Sequence, residues 1–218
     1  MSLLDDMKVQ AAKALEHQQT ATKLSAQVIA DRNAKMRAIF HYWREFADMA
    51  KVIKPMLPHA IAIPRVGNME SLKVVDLFVD YRHALLSNQN FSDEIEHASL
   101  IFYYKAPSAF HFEREIGLAA LVKDELWRYG ILHTATDVKN ERERTASILF
   151  NVPYEIRASL HVTQQNNSKL LQFALKNIAK LGDIDLEVAY DKVSTEFLDA
   201  LSKLLMGQEN NFWALARA

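Results

Sequence analysis

The stretch MRAIFHYWREFADMAKVI, residues 36–53, decides how this chain is read. Its apolar residues Met36, Ile39, Phe40, Trp43, Phe46, Ala47, Ala50 and Ile53 recur at the i, i+3, i+4, i+7 spacing of one helical face. Side chains this large need a core to cover them, so the stretch is expected to be a helix of a folded domain. Upstream, the pattern of residues changes but the helical character does not. Residues 1–54 contain neither glycine nor proline and consist largely of Ala, Leu, Lys, Gln, Met, Arg and Glu. At about 1.5 Å per residue, one helix over this span reaches roughly 80 Å, well beyond the diameter of a small domain.

The stripe in the upstream half is Leu4, Met7, Ala11, Ala14, Ala21 and Val28, interrupted by Gln18 and Ser25. Its side chains are small, so it buries little per residue but lets a second helix come close. The chain is therefore expected to divide into a projecting helical arm, residues 1–35, and a domain, residues 36–218, whose first helix continues the arm. The competing expectation is an amphipathic helix lying along its own domain.

Downstream, Pro55 and Pro58 end the helix, and Pro64, Gly67 and Asn68 lead through an irregular connector. The period then changes from 3.6 to 2. In residues 75–82, Val75, Leu77, Val79 and Tyr81 alternate with Asp76, Asp80 and Arg82, as in a half-buried strand. After a polar turn at Ser87–Asn90, a second strand is expected over residues 95–105 and a third over 109–116. The stretch 100–104 is apolar on both sides, which predicts an interior strand covered on each face. Gly117 marks a return to helical spacing with Leu118, Leu121, Val122, Leu126 and Tyr129, and Gly130 stands where a left-handed helix end is usual. Further strands are expected near residues 131–138, 145–152, 154–163, 170–178 and 184–190, with hairpin turns at 164–168 and 181–183. A closing helix starts at Ser194 or Thr195 and stops at Gly207. The class is α+β: a long N-terminal helix, a mostly antiparallel sheet of about seven to eight strands, one short internal helix and a C-terminal helix.

This order, taken from about residue 36 onward, resembles the helix, three strands, helix, strands, helix arrangement of type III secretion chaperones. The resemblance implies a small cytoplasmic dimer that binds other proteins.

Composition narrows the chemistry. The charge of −1 comes from 26 basic and 27 acidic residues, so nothing draws the whole chain toward nucleic acid or an anionic membrane. Residues 1–54 carry nine Lys or Arg against six Asp or Glu, a surplus of only three, too small for a phosphate-binding surface. With no cysteine, disulfides, thiolate metal sites and thiol nucleophiles are excluded, and a reducing compartment fits. Acidic Asp5 and Asp6 stand where a signal peptide needs positive charge, and no apolar run approaches the ~20 residues of a membrane span. A cytoplasmic protein is expected.

No catalytic signature stands out. The five glycines, Gly67, Gly117, Gly130, Gly182 and Gly207, form no phosphate-cradling loop, and no G-x-S-x-G elbow is present. Eight histidines are spread along the chain. His41 and Glu45 are one helical turn apart, and His111, Glu113 and Glu115 share one side of a strand, but both sets read as solvated surface rather than metal ligands. Asp183, Asp185 and Glu187 read as a charged strand edge, and residues 139–144 as a solvated turn. The aromatic residues Phe102, Tyr103, Tyr104, Phe110 and Phe112 have only Lys105 and Arg114 nearby, which favours core packing over base stacking. No catalytic residue, cofactor or metal is expected.

The tail is more informative. Phe212, Trp213 and Leu215 lie beyond the closing helix, where apolar side chains need a surface to dock on, either their own domain or a partner. The expected function is therefore a non-enzymatic assembly or adaptor protein whose long helix mediates self-association, coiled-coil pairing or binding of another protein. The residues expected to bind are Leu4, Met7, Ala11, Ala14, Ala21 and Val28, with Phe212, Trp213 and Leu215. The alternatives are a chaperone-like binding module and a metal-dependent hydrolase built from dispersed histidines and carboxylates.

Overall fold

A computed structural model describes residues 3–85, 91–164 and 168–217, with side chains from residue 26 onward except those of residues 91 and 92. The first helix, α1, is Leu3–Ile53. Met36, Ile39, Trp43, Ala47 and Ala50 on its inner face are buried. Ile53, expected on that face, is exposed instead, because steps of three and four residues from Met36 to Ala50 lead on to Lys54. Ile53 continues a neighbouring stripe through Tyr42, Phe46 and Met49. Pro55 then denies the helix a further turn, and Lys54 takes a left-handed φ of 47°.

The strands are β1 (Ile61–Ile63), β2 (Gly67–Met69), β3 (Lys73–Leu85), β4 (Phe91–Lys105), β5 (Phe110–Glu115), β6 (Thr134–Lys139), β7 (Thr145–Val152), β8 (Glu155–Gln164), β9 (Leu170–Lys176) and β10 (Asp183–Ala189). They form three antiparallel sheets: a β1–β2 hairpin, a five-stranded sheet in the order β10-β9-β8-β4-β3, and a three-stranded sheet in the order β5-β7-β6. The class is α+β, but the single sheet of seven to eight strands expected from sequence is replaced by ten strands in three sheets. The connector expected to be irregular supplies the extra hairpin. There Gly67, at φ 145°, lies against the Phe110 ring, where a side chain would collide: an added Cβ would stand 2.9 Å from Phe110 Cζ. With this hairpin and a final short helix, the element order departs from that of the secretion chaperones. The polar turn expected at 87–90 lies outside the described residues, as do residues 165–167 of the 164–168 turn.

Side-chain alternation decides what covers the five-stranded sheet. On β4, Ala98, Leu100, Phe102 and Tyr104 are buried, and so are Ile156, Ala158, Leu160 and Val162 on β8 and Leu171, Phe173 and Leu175 on β9. This inner face receives α1 and the closing helix α3 (Thr195–Leu205). Ile101 and Tyr103 on the outer face remain half-buried, so the expected second cover over β4 is not seen. On β3 the simple alternation fails. A register shift between Val75 and Phe78, with Asp76 at φ 53°, moves Val74 and Leu77 inward and sends Phe78 out with Asp80 and Arg82.

The internal helix α2 (Ile116–Arg128) begins one residue early in the expected strand and takes Ile116 with it. Gly130, at φ 66°, follows its end, and Ala119, Val122 and Leu126 are buried. Ser194 caps α3 by accepting a hydrogen bond from the Phe197 N–H, and Gly207 follows at φ 64°. Beyond it, a further short helix, α4 (Phe212–Arg217), folds back. Phe212 is buried against Phe197, with ring centres 5.2 Å apart.

Candidate functional site

Two apolar stripes run side by side at the C-terminal end of α1, and the sheet covers only one of them. The second, Tyr42, Phe46, Met49 and Ile53, lines a groove of about 370 Å³ between α1 and α3. Ala50, Pro55 and Met206 complete its apolar lining, and Glu45 and Asp199 supply its acidic edges. The apolar surface extends outward: Met49 is 60% exposed, Val52 84%, Ile53 71% and Met56 57%. Four large apolar side chains left open within eight residues of one helix end are unusual for a solvated surface. The sequence holds this signal as a second i, i+4, i+7 series, two of whose members, Phe46 and Ile53, also fit the spacing of the core stripe.

Tyr42 forms the polar end of this groove. Its hydroxyl donates to Asp199 Oδ1 at 2.5 Å, tying α1 to α3. Burial, followed by the hydrogen bond to the Asp199 carboxylate, pushes the phenol up to about 12. Tyr104 is also raised, by burial, while its hydroxyl donates to the Leu205 carbonyl at 2.8 Å. An unfolded tyrosine ionises near pH 10. Because both folded values lie above that, the stability they contribute is fully present below pH 10 and is lost as pH rises through the folded values. A phenolate absorbance titration of the native protein should therefore show at least two of the seven tyrosines ionising late. Tyr42→Phe should remove one of them.

Among the described side chains of α1, the tertiary hydrogen bonds begin at Arg32, which donates to the Ser168 carbonyl. Asn33 accepts from the Ile95 N–H and donates to the Asp93 carbonyl, and Lys35 donates to the Val193 carbonyl. Val28, one turn earlier, is half-buried. Leu4, Met7, Ala11, Ala14 and Ala21 lie on α1, but their side chains are outside the described residues. At the other end of the chain, Phe212 is in the core, with Trp213 and Leu215 packed partly buried against it. The structure does not bring this tail to the α1–α3 groove lining. A second exposed apolar group, Ile116, Leu118, Leu121 and Trp127, lies on α2.

The polar sets at His41 and Glu45, at His111, Glu113 and Glu115, and at Asp183, Asp185 and Glu187 lie on three separate elements, α1, β5 and β10. His41 and Glu45 are exposed on α1, and Glu113 accepts from the Ser147 hydroxyl. Asp183, Asp185 and Glu187 lie along the edge strand β10. Among the described residues, no group of three or more His, Asp or Glu is placed to hold a metal ion. The fold does bring two distant histidines together on the outer face of the five-stranded sheet. His161 Nδ1 and His97 Nε2 are 3.3 Å apart, and His97 Nδ1 is 3.3 Å from Thr163 Oγ1. Desolvation, followed by the Arg82 charge, lowers the His97 pKa, and desolvation, followed by His97 and Arg157, lowers that of His161. No sequence spacing could have revealed the pair, since 64 residues separate its members.

No protein-family model matches this chain, and neither a curated protein nor a solved structure shows significant similarity to it. Among the described residues, no helix is long and apolar enough to cross a membrane.

Proposed function

We propose that this is a non-enzymatic assembly or adaptor protein that presents α1 for self-association or for binding another protein. The observation that carries the reading is the length of α1: among its described side chains, which begin at residue 26, Arg32 is the first to hydrogen-bond to the rest of the domain, and the helix runs back from there to Leu3. From Leu3 to Arg32 the helix axis runs about 45 Å. A helix of that reach is long enough for a partner to pack along, while Arg32, Asn33 and Lys35 make the contacts with the domain described above. The open apolar stripe of Met49, Val52 and Ile53 on the same helix supports the reading, because an amphipathic helix and a groove beside it are the two halves of helix-in-groove recognition.

Removing residues 1–27 leaves Arg32, Asn33 and Lys35 in place, so the domain should stay folded, with an unchanged far-ultraviolet spectrum per helical residue retained. Its mass by light scattering should fall to that of a monomer, or a partner captured by the full chain should be lost. An intact chain that is monomeric and captures the same proteins as the shortened one would overturn the proposal. Met49→Glu offers a second handle. Met49 is exposed, so the substitution should change stability by no more than about 0.5 kcal/mol. If the groove is part of the interface, it should still weaken association measurably.

A further inference from the structure

The His97–His161 pair is explained neither by the helical arm nor by the core. We infer that His97 and His161 form a binding site for one divalent transition-metal ion of the zinc type, pinning β4 to β8 on the outer face of the five-stranded sheet. The spacing of the two rings fits such an ion. An ion about 2.0–2.1 Å from each of two imidazole nitrogens at a tetrahedral angle sets those nitrogens about 3.3 Å apart and the ring centres about 5 Å apart. The observed separations are 3.3 Å between His161 Nδ1 and His97 Nε2 and 5.2 Å between ring centres, with the planes inclined by 30°. An ion can therefore enter without moving either strand.

The orientation of His97 fits it as well. A ligating histidine usually gives its other ring N–H to a fixed acceptor, which sets the tautomer and aims the lone pair. Thr163 Oγ1 stands at His97 Nδ1 in that role and leaves Nε2 facing His161. Thr163 is directly opposite His97 in the β4–β8 register, so the ladder itself holds the acceptor in place. On metal entry, the proton that links the two rings moves from His161 Nδ1 to its Nε2. Both imidazoles stay neutral and no proton is lost. Two coordination positions remain for water or for an outside ligand.

The charges around the pair do not oppose a cation. Arg82 and Arg157 face the histidines, but Arg82 is paired with Glu96 at 3.4 Å and Asp80 lies on the same side, giving two positive and two negative groups. Neutral imidazole ligands without thiolate suit Zn²⁺, Cu²⁺ or Ni²⁺ rather than Ca²⁺ or Mg²⁺.

Zinc chloride titrated calorimetrically into the full chain should bind at one equivalent and raise the melting temperature. His97→Gln and His161→Gln should each weaken binding at least tenfold, whereas His111→Gln, on the separate three-stranded sheet, should leave it unchanged. Thr163→Val should weaken binding by a smaller factor while leaving the stoichiometry at one. Imidazole nitrogen resonances of the unmodified protein give a test that needs no variant: zinc should shift His97 Nε2 and His161 Nδ1 together. Absence of zinc binding below millimolar concentration, full binding retained in both glutamine variants, or shifts confined to other histidines would each overturn the assignment.

Discussion

Trp43→Ala should lower the stability of this protein by about 3–5 kcal/mol, close to the largest effect available from one core substitution. Trp43 is fully buried where α1 crosses the inner face of the five-stranded sheet, in the same core cluster as Ile39, Ala47, Leu100 and Phe102. Truncation to alanine opens a cavity in the apolar layer between this helix and the sheet. Trp43→Phe should behave differently. Among the described residues the indole Nε1 is buried without a hydrogen-bond partner, so phenylalanine removes an unsatisfied donor together with part of the packed volume. The two changes oppose each other, and the net loss should stay below about 2 kcal/mol. Urea denaturation followed by circular dichroism separates the cases through the midpoint at constant slope. A phenylalanine variant as unstable as the alanine one would mean that volume alone governs the site.

The inner stripe containing Trp43 was legible in the sequence because helical periodicity depends only on residues close in the chain. The same holds for the Ser194 cap, Gly130, Gly207 and most strand positions, each fixed by local backbone chemistry. What local pattern does not carry is the division of strands among sheets. β5 follows β4 after four residues yet pairs with β7 in another sheet, a choice made by side chains 32 to 42 residues away. The bulge at Asp76 was hidden for a related reason: alternation in residues 75–82 fits a regular strand, and only pairing with Tyr103 and Ile101 shows the slip. The candidate surfaces divide in the same way. The groove stripe at Tyr42, Phe46, Met49 and Ile53 can be read from α1 alone, whereas the histidine pair exists only once β4 and β8 are neighbours.

The two faces of the five-stranded sheet carry different features. The inner face holds α1 and α3 and so positions the groove, while the outer face carries the His97–His161 pair beside small, buried Ser99 and Ser159. A variant in one should leave the other intact, because the side chains point away from each other across a single layer.

Asn177→Ala should cost about 3–5 kcal/mol, and here the cause is polar rather than apolar. Asn177 is 2% exposed and sits at φ 55° in the turn between β9 and β10. Its side-chain amide donates to the Tyr129 carbonyl at 3.0 Å and to the Arg157 carbonyl at 2.9 Å, and its Oδ1 accepts from the Gly182 N–H at 3.0 Å. One side chain thus ties together the end of α2, strand β8 and a hairpin turn. Alanine would remove the side-chain partner of three part-buried backbone groups at once and would also meet a left-handed backbone that disfavours any Cβ lacking a local polar group. Asn177→Gly relieves the backbone but not the lost bonds, so it should recover about 1 kcal/mol of the deficit. Asn177→Asp keeps the acceptor for Gly182 but turns a carboxylate toward two carbonyl oxygens, and should be at least as damaging as alanine. The expected order of denaturation midpoints is Asn, then Gly, then Ala, with Asp at or below Ala. Asp ranking above Gly would show that the contact with Gly182 alone holds the turn. In that case α2 is anchored by its apolar face and by the Arg65–Glu125 ion pair at 2.9 Å, rather than through Asn177.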